Sequence, residues 1–348
     1  GAKWTTTSIM RRSRLYIEGF VLRYWYFRAR FNWNLLTEPS FQDLFIEYTG
    51  FRDRLSKWFP VIRLGQVKEP MTLDWMTGAN WTTFAERAME TSALAPDRSA
   101  GIRIHGAFFD RRMTYQAGFF ATNIETLGDY RKDTGEAVTF RLTGLPWAPK
   151  DNHCRYVHLG FSGSIRWNVD KVRLAALPGS AGGPNIVDTR EFLASRAEVW
   201  AGEFIYSRDR LSVQTEAVWT RVKLPNAAYG HYWGWYTQAS YFLTKPCRAY
   251  RRYMAAFGRV QPERELFCKA RQGLGAWEVA GRFSYLDLDD APQKGGTAWT
   301  ATLGLNWYAR DNIRITANVV YTSVAGAYGN AGADGTMTTL LLRFQYNL

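Results

Sequence analysis

The chain has 348 residues, 46 % of them hydrophobic, and a mean hydropathy of −0.31. No apolar run approaches the roughly 20 residues that a membrane helix needs, which excludes a helical membrane protein. The net charge is +13, yet the arginines sit singly inside alternating stretches rather than in blocks, which argues against a nucleic-acid partner.

Alternation locates strands in chain order. Leu15, Ile17, Gly19 and Val21 share one face, and Arg12, Arg14 and Glu18 the other. From Leu22 to Trp33, the outward set Trp25, Phe27, Ala29, Phe31 and Trp33 opposes Tyr24, Tyr26, Arg28, Arg30 and Asn32. Stretches near 41–50 and 59–67 follow, the second carrying Arg63. Ser99–Asp110 turns Ile102, Ile104 and Phe108 outward, with Arg103 and His105 inward. Strands over 112–123 and 136–147 come next, the latter with Arg141 inward. Tyr156–Trp167 sets Val157, Leu159, Phe161, Ile165 and Trp167 against His158, Ser162, Ser164 and Arg166. Stretches near 190–206, 208–222 and 231–244 lead to three strands whose inward faces carry Glu278 and Arg282, Asn306, and Arg314. In the last eleven residues, 338–348, Leu340, Leu342, Phe344 and Tyr346 oppose Arg343 and Gln345.

A lipid-facing stripe with aromatic ends and a polar opposite face is the pattern of an outer-membrane β-barrel. The 15 Trp and 19 Tyr suit two interfacial girdles. A soluble all-β domain of this length would seldom spread its aromatics so evenly. The reading gives about 15 strands; bacterial barrels prefer even numbers, so about 16 are expected, with residues 2–10 as the missing one. The chain reads as one domain, 1–348, and Gly1 close to the first strand fits a mature or trimmed chain.

Short connections at 110–111, 207–209 and 310–312 contrast with long ones at 124–135, 168–189 and 245–272. This predicts short turns at one end and long loops at the other. Residues 68–98 break the strand pattern, with helical character from Thr82 to Met89. Trp75, Met76, Trp81 and Phe84 argue against disorder. A loop of this length is expected to fold into the lumen and narrow the pore.

Rings of Arg or Lys in a channel select anions, because fixed charge and donors replace lost hydration. The expected anion path is Arg12, Arg14, Arg28, Arg30, Arg63, Arg103, Arg141, Arg282, Arg314 and Arg343. Alternatively these arginines pair with lumen carboxylates such as Glu18, Glu216 and Glu278 and hold the wall together. Within the loop, Lys68, Glu69, Trp75, Trp81, Glu86, Arg87 and Arg98 are expected at the constriction, or Glu86 and Arg87 anchor it to the wall. Arg248, Arg251, Arg252, Arg259 and Arg264 either draw anions to the mouth or form a solvated loop touching lipopolysaccharide. Cys247 and Cys268 flank a polar segment and are expected to form a disulfide, or to remain two free thiols; Cys154 has no evident partner. The four histidines show no metal spacing. No catalytic constellation and no cofactor motif appears.

Several blocks carry a family resemblance. They are Phe45-Ile-Glu-Tyr-Thr-Gly50, Arg63-Leu-Gly-Gln-Val-Lys-Glu-Pro70 with Thr83-Phe-Ala-Glu-Arg87, and Ile186-Val-Asp-Thr189. Gly275-Ala-Trp-Glu-Val279, Ser284-Tyr-Leu-Asp-Leu288 and Leu303-Gly-Leu-Asn-Trp307 follow. In this order they resemble the phosphate-selective porins of the O and P type, from about Arg11 to the end. The resemblance implies an outer-membrane barrel, usually a homotrimer, with its third extracellular loop folded inward and basic residues along an anion path. Phosphate-selective members carry a lysine and a serine pair after Glu-Pro. Here Trp75 stands near the lysine position and Gly78 and Ala79 near the serines. The resemblance thus implies a retained loop scaffold without the phosphate ligands. The expected solutes are phosphate, chloride or organic anions. A less selective porin and a structural barrel that binds partners are the alternatives.

Overall fold

The computed structural model describes residues 5–33, 40–121, 135–150, 152–179, 183–245, 247–266, 269–290, 293–326 and 334–347. Fifteen strands form one sheet, each hydrogen-bonded antiparallel to its neighbours in chain order. They are β1 (Ser13–Val21), β2 (Trp25–Trp33), β3 (Ser40–Tyr48), β4 (Val61–Lys68), β5 (Arg98–Phe108) and β6 (Met113–Phe120). Next come β7 (Glu136–Trp147), β8 (Tyr156–Trp167), β9 (Arg196–Arg208), β10 (Leu211–Lys223) and β11 (Tyr229–Phe242). The sheet ends with β12 (Ala276–Asp290), β13 (Gln293–Tyr308), β14 (Ile313–Ala325) and β15 (Gly335–Tyr346). Most are long enough to cross a bilayer at a tilt.

Sequence parity fixes the faces. Outward positions keep large apolar side chains exposed, such as Ile17 at 63 %, Leu303 at 70 % and Leu342 at 80 %. Aromatics on this face stack across strands, Trp277 on Trp307 at 5.5 Å and Phe283 on Trp299 at 5.8 Å. The opposite face carries buried polar groups, among them Arg141, Ser162, Glu216 and Asn306 at 0 %. An arginine on the lipid face would cost about 2–4 kcal/mol, which fixes this orientation.

Five details differ from expectation. The sheet has fifteen strands among the described residues, and of residues 2–10, expected as a further strand, the described part 5–10 forms none, while 2–4 lie outside the described residues. The loop helices are α2 (Leu73–Met76) and α3 (Met89–Leu94), after α1 (Gly50–Arg54) in the β3–β4 turn. Thr82–Ala88 is not helical, because wall side chains capture its backbone carbonyls, as described below. The segment 243–275 belongs to the short-turn end, since it follows β11 and precedes β12 on the side of the 209–210 turn. Finally, Cys247 is bonded to Cys154, with a Cα–Cα distance of 5.7 Å. The partner expected for it, Cys268, lies outside the described residues, as does most of the 124–135 connection. The 93-residue separation of Cys154 and Cys247 hid the pairing.

Candidate functional site: a lumen filled from both ends

Loop 69–97 runs inside the sheet. Met71, Leu73 and Ala88 are fully buried, and Phe84 is 1 % exposed. Met71, Met89 and Leu94 join one apolar cluster with Val169, Leu174, Val187 and Phe192 of the β8–β9 connection and with Val199, Val218 and Leu286 of the wall. From the short-turn end, Ala256 and Phe257 pack on Leu73, Tyr156 and Ile205. The two inward segments meet. Arg248 donates to the Trp81 carbonyl at 2.5 Å, and the Phe257 N–H donates to Thr77 Oγ1 at 3.2 Å.

The ten expected lumen arginines fall into three groups. Five have carboxylate partners: Arg12 with Glu86, Arg28 with Glu18, Arg30 with Asp43, Arg63 with Glu47 and Arg141 with Glu203. Three of these pairs face one another directly in the strand register, Glu18 with Arg28, Asp43 with Arg30 and Glu47 with Arg63. Opposite charges at such positions stabilise a sheet.

Four arginines clamp the backbone of the loop or of the strand end that leads into it. Arg314 donates to the carbonyls of Thr82 at 2.7 Å and Thr83 at 2.6 Å. Arg282 reaches those of Glu86 at 3.2 Å and Arg87 at 3.4 Å, and lies over the Phe84 ring at 4.6 Å. Arg343 reaches Ala85 at 3.1 Å, and Arg103 reaches Lys68 at 3.1 Å. The wall holds the carbonyls of Thr82, Thr83, Ala85, Glu86 and Arg87 in a non-helical course.

Arg14 stands apart. Its register partner is Asn32, whose amide oxygen accepts at 3.2 Å. Neither Arg14 nor Arg343 has a carboxylate partner among the described residues.

The loop residues behave mainly as anchors. Glu69 is buried and accepts from Ser99 at 2.6 Å, Thr139 at 2.6 Å and Arg166 at 2.9 Å. Lys68 donates to the Trp75 carbonyl at 2.6 Å, and Arg87 to that of Thr77 at 2.9 Å. Both cations flank the Trp75 ring, at 5.2 and 4.9 Å. Arg259 lies 5.3 Å from the Trp81 ring centre. Arg98 pairs with Asp43 at 2.8 Å. Glu86 binds Arg11 at 3.1 Å and Arg12 at 3.8 Å. Burial alone would raise the Glu86 carboxyl, but Arg11 and Arg12 hold it below its usual range. Burial pushes Glu90 on α3 well above its range, which favours the neutral acid.

Of the acids expected to pair with arginine, Glu18 does. Glu278 meets Arg248 at 3.6 Å, whereas Glu216 binds Tyr236, Gln214 and the Asp74 N–H. The reading of Arg248 as a mouth residue fails, since it is 2 % exposed. Asp43 and Glu47 were missed, although the alternation of β3 places them on one face with Phe45. Glu203 was missed too, although the alternation of β9 places it on one face with Ala201 and Ile205; the role of Arg11 leaves no comparable signal, because it depends on a contact with a distant segment.

Burial divides the lumen. Toward β7–β12 the inward positions are closed by the two apolar clusters, with Arg141 on β7 at 0 %. Along β1–β4 side-chain exposure remains at 28 % for Arg28, 23 % for Arg30 and 19 % for Arg63. Among the described residues the open strip holds Arg11, Arg12, Arg14, Arg28, Arg30, Arg63, Arg98 and Arg343, with Glu18, Asp43, Glu47, Glu86 and Asp97 as the partnering acids.

The chain is similar to known proteins. Porin O of Pseudomonas aeruginosa is 25 % identical over 95 % of this chain and 80 % of its own length. Among solved structures, the anion-selective porin from Comamonas acidovorans superposes with a TM-score of 0.58 at 13 % identity, covering 98 % of this chain and 90 % of that one. OmpT of Vibrio cholerae gives 0.56 at 10 % identity, covering 96 % and 88 %. The model of the family described as phosphate-selective porin O and P matches residues 3–348. This chain therefore belongs to the phosphate-selective porin O and P family and is an outer-membrane porin.

Proposed function

We propose that the sheet closes into a barrel of about sixteen strands and that its pore passes small anions along the strip beside β1–β4. The reading rests on one observation, the excess of guanidinium groups over carboxylates among the described residues in the open part of the lumen. Support for closure comes from loop 69–97, which touches both edges of the sheet. Arg11 and Arg12, just before β1, bind Glu86, while Arg343 on β15 reaches Ala85. Two names among the similar proteins, phosphate-selective and anion-selective, point to the same solute class. A homotrimer accords with a similar structure described as a trimer form, and the outer rim meets lipopolysaccharide.

A second reading is a less selective porin for organic anions. Trp75, Gly78 and Ala79 favour it, because the loop tip offers an indole between two cations instead of a lysine and hydroxyls. Planar-bilayer recording under a KCl gradient tests the first reading, followed by titration with phosphate. Chloride preference with block by phosphate supports a phosphate path. Chloride preference without block supports the general anion porin. Cation preference or absent conductance overturns both.

A further inference from the structure

One cluster of ligating groups lies away from the anion strip. His153 and Cys154 sit in the β7–β8 turn, and Cys247 begins the run that enters the lumen from the same end. The two sulfurs and a ring nitrogen of His153 all lie within 4.8 Å of one another. His153 is exposed, Cys154 half-buried and Cys247 buried, so the set is open to solvent on one side and backed by protein on the other. Its sulfurs are joined in a disulfide.

We propose that this cluster is a zinc-type metal site in its dithiol form. Two thiolates and an imidazole form a donor set suited to Zn²⁺ and unsuited to Ca²⁺ or Mg²⁺, which prefer oxygen. A dithiol reductant first passes two electrons and two protons to the Cys154–Cys247 bond and becomes its own cyclic disulfide. The S–S bond breaks and two thiols form. Zn²⁺ then displaces both thiol protons to solvent and makes two Zn–S bonds. Neutral His153 supplies a nitrogen lone pair as third donor, and water takes the fourth position. Cys154 stands in a turn, so its side chain can rotate as the sulfurs part around the ion.

The site has a structural consequence. Cys247 precedes Arg248, which holds the Trp81 carbonyl of the opposing loop. The metal therefore replaces the covalent anchor of the inward segment with a coordinate one. This inference does not depend on which solute crosses the pore.

The test uses the full chain in detergent micelles with Cys268→Ser, so that only two thiols count. Half the sample is reduced with a phosphine, desalted and checked for two free thiols and for strand circular dichroism. Both halves are dialysed against Zn²⁺, then against Co²⁺. The expected result is one Zn²⁺ per reduced chain and none held by the oxidised chain, with tetrahedral cobalt bands appearing on reduction. His153→Ala is expected to weaken binding by at least about tenfold. Equal uptake by both halves overturns the proposal. So does a folded, reduced chain that takes no metal, or unchanged affinity in His153→Ala. Loss of strand signal on reduction overturns it too, since the site then exists only as a disulfide.

Discussion

Replacing Arg14 with glutamine tests the anion strip most directly. Arg14 faces Asn32 where its neighbours face acids, so its charge is not neutralised across the register. The glutamine amide retains a donor for the Asn32 oxygen, so the substitution removes charge with little loss of local bonding. A unit charge acts on an ion about 7 Å away in a water-filled lumen with roughly 0.6 kcal/mol. The effect is favourable for chloride and unfavourable for potassium. The selectivity ratio therefore changes by about 1.2 kcal/mol, or about sevenfold. Single-channel reversal potentials across a KCl gradient read this ratio on folded, inserted protein alone. Low salt is needed, because the screening length is only about 10 Å at 0.1 M.

The companion variants sharpen the test. Asn32→Asp places a carboxylate opposite Arg14 and is expected to reduce anion preference in the same direction. Arg141→Gln is the control: Arg141 is fully buried on the filled side of the lumen, bound to Glu203 and to the Ala255 carbonyl. It is expected to lower stability by about 3–5 kcal/mol, as for breaking a buried pair, while leaving selectivity unchanged. A wild-type reversal potential in Arg14→Gln, or an equal shift in Arg141→Gln, refutes the placement of the path.

Other outcomes follow from the clamps and closures. Arg314→Met removes charge-assisted bonds to Thr82 and Thr83, each worth about 1.5–3 kcal/mol; conductance is expected to rise, and protease to cut within 82–88 when added to open channels. Unreduced protein is expected to yield a peptide pair joining Cys154 to Cys247 by mass spectrometry. Cys247→Ser is expected to lower stability toward denaturant by up to about 4.7 kcal/mol, from loop-closure entropy over a separation near a hundred residues. Gly65 has φ +126°, and a Cβ there would collide with the Leu44 carbonyl oxygen; Gly65→Ala is expected to cost more than about 1 kcal/mol, read by denaturant midpoint.

What the sequence disclosed and what it hid have one physical cause. A barrel strand has period two, so alternation alone placed Leu342 outward and Arg343 inward, and did the same for β1, β2, β8 and β13. Parity says nothing about register, and register decides which charges remain. Arg28 and Arg30 look alike in the sequence beside Arg14. Only the pairing of β1, β2 and β3 sets acids opposite the first two and an amide opposite the third. The clamps were hidden for a related reason, since Arg282 and Arg314 bind main-chain carbonyls, which every residue offers. The disulfide was hidden because it joins two connections at one end of the sheet across 93 residues. Counting inward arginines therefore overstates the path. Most of them hold the wall or the loop, and the charge left to attract an anion resides where the register withholds an acid, which makes Asn32 as informative a position as Arg14 itself.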